Sequence, residues 1–375
     1  MRRPLANMKA AVLTAQGPPS VLRLVDDYPT PTVDSEHVLV RVKAIAIGHS
    51  DLMTRNGIQA GPKFTPPKII GAEFSGVIES VPPELERRDG DDVATSGKYR
   101  PGDVVVGLMG GMGRFFDGCY AELARLPPSC LSSPIPDVSP TARSDTFALI
   151  AAVPGSYLAA YGMLEHGLAI RAGDTLLIHG GSAATAVAAL SLAKSRYGVN
   201  KVVGTTRNVE KAQRMREKGY DDVVVVDDDD DVDADADAKD GDFEQQQAHA
   251  IMEKAGEPEG FTAQIELIGA DHVRVALACA RSPGGSRVCM GGMLDGAYFF
   301  RKEFGPMGIP IGVSLSGYSS SFKDHMLPLP GLIGDALAGK LDAAPDKIFS
   351  FSDIVKAHEY RESSHTLGKV VCVLD

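Results

Sequence analysis

The sequence of 375 residues predicts an α/β chain: a doubly wound parallel sheet, preceded by a β-barrel-like region to which the C-terminus returns. Three observations predict it. Residues 173–194, GDTLLIHGGSAATAVAALSLAK, pass from a short apolar strand through glycines into an alanine-rich helix. Segments of strand and helix character then alternate from 201 to 292. Before residue 150 the apolar runs are short and broken repeatedly by Gly and Pro, as in a barrel of small strands.

A chain this long exceeds one average core, so two domains are expected. Hydrophobic residues make up 44% of it, a globular share. No uninterrupted apolar run of roughly 20 residues stands out, so no membrane span is expected. The opening MRRPLANMKA lacks the apolar stretch of an export signal, which makes the cytoplasm the expected location. The five cysteines are scattered and never form C-x-x-C, which argues for reduced thiols rather than a disulfide framework. Residues 227–242, DDDDDVDADADAKDGD, hold ten aspartates and one lysine; removing them leaves 37 basic against 39 acidic residues. Such a run repels itself and reads as an acidic surface loop, without the glycine and glutamate of an EF-hand. No basic patch suggests nucleic acid.

In chain order, MKAAVLT (8–14) and Val21–Val25 read as strands, and HVLVRVKAIAIG (37–48) alternates as a half-buried strand does. GVIESV (76–81) and RPGDVVVGL (100–108) supply two more. FALIAAVPGSYLAAYGMLEHGL then has helical periodicity and leads into the central strand, Thr175–Ile178. Afterwards KVVGTT, DVVVV, FTAQIELIG and SRVCMGG read as strands, with VEKAQRMREKG, QQAHAIMEKAG and VRVALACARS as helices between them. The last 44 residues supply helix, strand, helix and a closing strand, Lys369–Leu374, which is expected to rejoin the first domain. A site between the domains follows from that layout.

A strand entering a helix through Gly180 and Gly181 is the opening of a dinucleotide-binding unit, where the helix N-terminus holds a pyrophosphate. Read as G-x-G-x-x-G from Gly181, the pattern puts Ala183 at the second glycine and Ala186 at the third. An ordinary α/β crossover is the alternative, because Ala183 carries a methyl group where the phosphates need close approach.

The order of elements, with KAIAIGHSDLMTRNG, IIGAEFSGVIESV, RPGDVVVGL, FDGCYAEL, RAGDTLLIHGGSAATAVAALSLAK, SRVCMGG and HTLGKVVCVL, resembles the medium-chain dehydrogenase/reductase superfamily. Within it the chain resembles the zinc-free quinone oxidoreductase and enone or enoyl reductase branch. The resemblance implies a GroES-like β-barrel domain over 1–150, completed by 309–375, and a Rossmann domain over 151–308. It also implies a possible homodimer. Zinc-dependent members place metal ligands where this chain has Gly48, Ala72 with Glu73, and the neighbourhood of Gly155–Ser156; one carboxylate cannot make a three-ligand site, so no metal is expected.

At the end of the second Rossmann strand, Thr205, Thr206, Arg207 and Lys211 offer hydroxyl and cationic groups and no acid, which selects NADPH. Solvent-facing charges at the start of a surface helix are the plainer reading. The cofactor-binding set is Gly180, Gly181, Ser182, Ala183, Ala184, Thr185, Thr205, Thr206, Arg207, Lys211, Gly269, Gly291, Gly292 and Lys369. His49 and Ser50 are the catalytic candidates. His49 either donates a proton to the product or, as the resemblance implies, contacts cofactor phosphate. Asp51 and Glu73 are expected to hold the loop. The tyrosine of mitochondrial-type enoyl reductases would fall near Gln59 and is missing. Tyr157, Tyr161 and Tyr318 are cleft or core residues.

The expected activity is hydride transfer from NADPH to a small quinone or α,β-unsaturated carbonyl. Two alternatives stand beside it: a trans-acting enoyl reductase of a polyketide pathway, and a non-catalytic paralogue serving as an interaction module.

Overall fold

The structure, a computed structural model, describes residues 7–58, 64–93, 97–226, 242–294, 299–300, 304–319, 328–363 and 365–374. Its first elements are β1 (Asn7–Leu13), β2 (Leu22–Pro29), β3 (Val38–Ile47), α1 (His49–Arg55), β4 (Lys68–Ile69), β5 (Glu73–Ser80), β6 (Val104–Leu108) and β7 (Leu123–Leu126). Next come α2 (Ser144–Ala152), α3 (Pro154–Gly162), β8 (Thr175–His179), α4 (Ala184–Ser195), β9 (Lys201–Thr206), α5 (Val209–Glu217) and β10 (Asp222–Val225). The chain closes with α6 (Asp242–Lys254), β11 (Ala263–Glu266), α7 (Val273–Ala278), β12 (Ser286–Met290), β13 (Val313–Gly317), α8 (Leu329–Leu337), β14 (Lys347–Ser350), α9 (Ile354–Glu362) and β15 (Val370–Val373).

Two compact units result, one from residues 1–158 with 321–375 and one from 159–320. In the first, β3 is the organising strand of a sheet ordered β14-β15-β3-β5-β6, and β7 pairs with it as well. Its alternation holds only around Arg41, which turns outward between buried Val40 and Val42 and donates twice, each at 2.9 Å, to Glu79 on β5; Leu39 and Ala44 to Ile47 are buried as well, so the rest of the strand is covered on both faces. A second sheet, β2-β1-β4, packs Met8, Ala10 and Val12 into the same core as Ile45, Phe74, Tyr120 and Val370. The closing strand pairs antiparallel with β3, Val370 opposite Ile47.

The second unit is a parallel sheet ordered β10-β9-β8-β11-β12-β13. Leu176, Leu177 and Ile178 of β8 are fully buried, as a strand covered on both faces requires. From α4, Val187, Leu190 and Leu192 pack inward.

Three sequence expectations need correction. The return to the first unit does not begin at 309, because β13 pairs parallel with β12, Ser286 opposite Val313. Val313–Gly317 is a partly exposed edge strand between glycines and lacks the apolar run of a central one, so it leaves no strand signal. The helix from Val273 stops at Ala278 rather than running to Ser282, since Cys279 and Arg281 bridge to the backbone of Phe261 instead. An apolar stretch long enough to cross a membrane does exist by length and composition: Ser144–Gly167, of mean hydropathy 1.6, with 78% of its window buried as in a core helix. The aspartate run, up to residue 241, and Gln59 lie outside the described residues.

Candidate functional site

Every Rossmann-type candidate falls at the carboxyl end of a parallel strand. The turn follows β8, Thr205 and Thr206 end β9, Gly269 follows β11, and Gly291 and Gly292 follow β12. The chain leaves β8 towards β9 and β10 and returns on its other side as β11, so the sheet reverses direction between β8 and β11. A reversal of this kind opens a crevice at the carboxyl ends of the strands.

The turn is held by backbone. Gly180 has φ +74°, a conformation that suits glycine, and its N–H donates to Thr205 Oγ1 at 3.1 Å. Gly181 N–H donates to Thr205 O at 2.8 Å, and Gly181 O accepts from the Tyr220 hydroxyl at 2.8 Å. A Cβ on Gly181 would lie 2.6 Å from the Met215 methyl and 3.1 Å from the Cα of Gly204, so α5 and β9 together leave no room for a side chain here. Ala183 is the N-cap of α4 at φ −66°, ψ 152°, extended backbone that any residue adopts. Ala183 therefore leaves the turn unstrained, and it provides no side-chain cap for the first N–H groups of α4. Ala186 is fully buried, as a position of close helix–strand packing requires. Ser182, Ala184 and Thr185 are half-buried around the helix start.

From the next strand, Lys211 Nζ lies 3.4 Å from Ser182 Oγ, and Asn208 caps α5 by accepting from Lys211 N–H at 3.0 Å. Arg207 is exposed, and Thr205 and Thr206 are buried. The turn, Thr205 and Lys211 are thus brought together. The remaining glycines have packing reasons: a Cβ on Gly292 would sit 1.9 Å from Leu267 O, and one on Gly291 2.2 Å from Met163 Sδ. Gly269 N–H donates to the buried carboxylate of Glu266 at 3.1 Å.

Below the turn lies a buried polar group that the sequence reading missed. His179 Nε2 lies 2.9 Å from Gln264 Oε1, and the His272 ring stands edge-on to His179 at 4.9 Å between centroids. Burial, then His272, pushes the His179 pKa down to about 4, so the ring is neutral. Polar residues inside apolar strands, at 179, 264 and 266, were the available signal.

In the other unit, α1 carries His49, Ser50 and Asp51. His49 is half-buried, and burial followed by the charge of Arg361 lowers its pKa. Ser50 contributes its carbonyl, accepting from Thr54 Oγ1 at 2.8 Å. Asp51 accepts from Gly48 N–H at 2.8 Å and is fully buried, which pushes its pKa up to about 6 against the opposing effect of that bond. Arg55 fixes the far end of α1: it donates to Gly17 O and His358 Nδ1 and pairs with Glu362. Since guanidinium only donates, His358 carries its hydrogen on Nε2 and donates to Tyr120 Oη at 2.9 Å. Tyr157 is a core residue whose hydroxyl donates to Asp342 O.

Glu73 is saturated. One oxygen accepts from Gly155 N–H at 2.7 Å and the other pairs with the buried ammonium of Lys369. Lys369 therefore sits with Glu73, a partner that no local pattern announces.

Comparisons with known proteins follow this layout. A family model described as alcohol dehydrogenase GroES-like domain matches residues 34–137, and one described as zinc-binding dehydrogenase matches 219–372. Quinone oxidoreductase of Rattus norvegicus is 29% identical over 216 residues, 58% of each chain. A phenolphthiocerol synthesis polyketide synthase of Mycobacterium bovis is 30% identical over 185 residues, 49% of this chain and 7% of that one. The chain thus spans little more than half the length of the rat relative and a small part of the synthase. A mycobacterial protein solved in complex with NADPH shares the fold at TM-score 0.73 and 24% identity, over 98% of this chain and 100% of that one.

The zinc in the second description does not fit the residues present. Gly48, Ala72 and Gly155 offer no donor, and both oxygens of Glu73 are engaged by Lys369 and Gly155. Among the described residues no group of three or more His, Cys, Asp or Glu is arranged to hold a metal ion.

Proposed function

Because the chain belongs to the medium-chain dehydrogenase/reductase superfamily as a quinone-oxidoreductase-like member, we propose that it is an NADPH-dependent reductase of quinones or α,β-unsaturated carbonyls. The observation that carries the cofactor is the meeting of Lys211 with Ser182 beside a β9 end, Thr205 to Asn208, that holds no acid. The uncapped N–H groups at the start of α4 suit a pyrophosphate, with Gly180, Gly181 and Ala183 to Thr185 around it. Thr206, Arg207 and Lys211 suit a 2′-phosphate. Gly269, Gly291 and Gly292 edge the crevice beside it. When bound, the nicotinamide supplies a hydride to an electrophilic carbon. The chain's share is to orient it and to deliver a proton, for which the half-buried His49 and the neighbouring Ser50 are the candidates.

Nicotinamide fluorescence titrated with NADPH and NADH, followed by absorbance with a panel of quinones and enones, tests this reading. Preference for NADPH with turnover on the panel is expected; cofactor binding without turnover on any member sinks it.

The match to a polyketide synthase favours a second reading, enoyl reduction of a carrier-bound acyl thioester. It requires turnover on an enoyl thioester and measurable affinity for a carrier protein.

A further inference from the structure

We propose that Glu266 and His272 are positioning residues of the crevice in the 159–320 unit, and that a proton on His272 clamps the turns after β11 and β12. Glu266 touches both turns. Its carboxylate accepts from Ile268 N–H at 2.7 Å and Gly269 N–H at 3.1 Å. Its main-chain carbonyl accepts from Gly291 N–H at 3.0 Å and Gly292 N–H at 3.2 Å. The residue is fully buried, so its charge is costly without a cation close by. His272 brings one when protonated: its Nδ1 lies 3.5 Å from Glu266 Oε1, within ion-pair range. The His272 side chain is 16% exposed, enough to exchange a proton with solvent.

The surroundings leave this pairing to that proton. His179 stands opposite Glu266 in the β8–β11 register and edge-on to the His272 ring, and it stays neutral down to about pH 4. Gln264, on the same face of β11 as Glu266, is bonded to His179 and carries no charge. Asp271 is exposed, next to His272 in the 3₁₀ turn Ala270–His272. From α7, Arg274 pairs with Glu244 of α6 at 3.7 Å, and from β12, Arg287 pairs with Asp174. Of these groups only a histidine ordinarily changes charge between about pH 5 and 8, and His179 is held out of that range.

A protonated His272 favours the charged form of Glu266, the form that accepts from both turn N–H groups. Glu266 in turn raises the pH at which His272 loses its proton. The clamp is therefore complete below the folded midpoint of His272 and loosens as pH rises through it. Turns already held in place bind a ligand at less ordering cost. That the ligand is a dinucleotide rests on the proposed function; the clamp itself is tested without one.

The His272 C2 proton is followed by NMR across pH, assigned by its loss in His272→Gln, alongside hydrogen-exchange protection of the Ile268 and Gly269 amides. In the wild type that protection is expected to fall about fivefold or more through the His272 midpoint. Glu266→Gln is expected to move the midpoint to lower pH, and His272→Gln to leave the protection flat. NADPH binding, followed by fluorescence, is expected to weaken about fivefold or more through the same midpoint and to lose that step in both variants. Titration of the ligand's own 2′-phosphate is common to all three proteins and cancels in the comparison.

Weaker NADPH binding in the variants with the step intact leaves both residues a structural role only and overturns the proposal. So does a His272 midpoint that Glu266→Gln does not move, or amide protection that ignores the His272 titration. Should Glu266→Gln not fold, His272→Gln and the wild-type protection profile decide. A protection step tied to His272 in a protein that binds neither NADPH nor NADH upholds the clamp and sinks the cofactor reading.

Discussion

The two units build their candidate sites from opposite materials. In the 159–320 unit the turn after β8 is made of backbone and small side chains: Gly180, Gly181, Ser182 and Ala183, tied to Thr205 by N–H bonds. Its pull on an anion comes from uncapped helix N–H groups, with Lys211 beside them. In the other unit Asp51, Arg55, Glu73 and Lys369 are buried, and each is tolerable because of a named partner. The first kind of site is written in neighbouring residues. The second exists only after residues 296 positions apart have met, as Glu73 and Lys369 do.

The largest effect should come from breaking a charge pair. Lys369→Met strands the Glu73 carboxylate in the core, and chemical denaturation should show a loss of about 3–5 kcal/mol. Adding Glu73→Gln should restore part of that loss; an undiminished loss would mean that Lys369 matters for something other than its charge.

Asp51 separates the units by pH. Its folded pKa of about 6 lies above the ordinary carboxylate value of 3.8, so the unfolded chain ionises first as pH rises. Stability from this group is full below about pH 4 and declines up to about pH 6, by about 3 kcal/mol at most. Asp51→Asn should flatten that decline in denaturation curves taken at successive pH values. A decline that persists would place its origin elsewhere.

Packing against backbone predicts a smaller loss in the Rossmann unit. Gly292→Ala drives a methyl group against Leu267 O, and thermal unfolding should report about 1–3 kcal/mol of destabilisation. The smallest effect is expected at Ala183. Because its backbone already suits any residue, Ala183→Gly should leave the melting temperature nearly unchanged and tighten NADPH binding a few-fold, by about 0.5–1 kcal/mol. Weaker binding in a fluorescence titration would show that the methyl group is no obstacle to the phosphates.

Legibility followed the same division. Strand, turn and helix over 173–194 could be read directly, because each signal is local: a buried apolar run, glycines, then helix formers. Fold class could be read for the same reason. What failed was either long-range or weakly patterned. The steric reasons for Gly291 and Gly292, in Met163 and Leu267, could not be read from their own segment. β13 hid because an edge strand need not be apolar on both faces. The pairing of Lys369 with Glu73 leaves no trace in either segment.

The antiparallel pairing of β15 with β3 also orders events during synthesis. β3 emerges early, yet the strand that covers one of its edges comes after the whole 159–320 segment. On the ribosome the inserted unit can complete its own parallel sheet while its host still presents an open strand edge, a ready template for mispairing. Val370–Val373 is therefore the latch of the host unit, the strand whose late arrival closes the β3 edge.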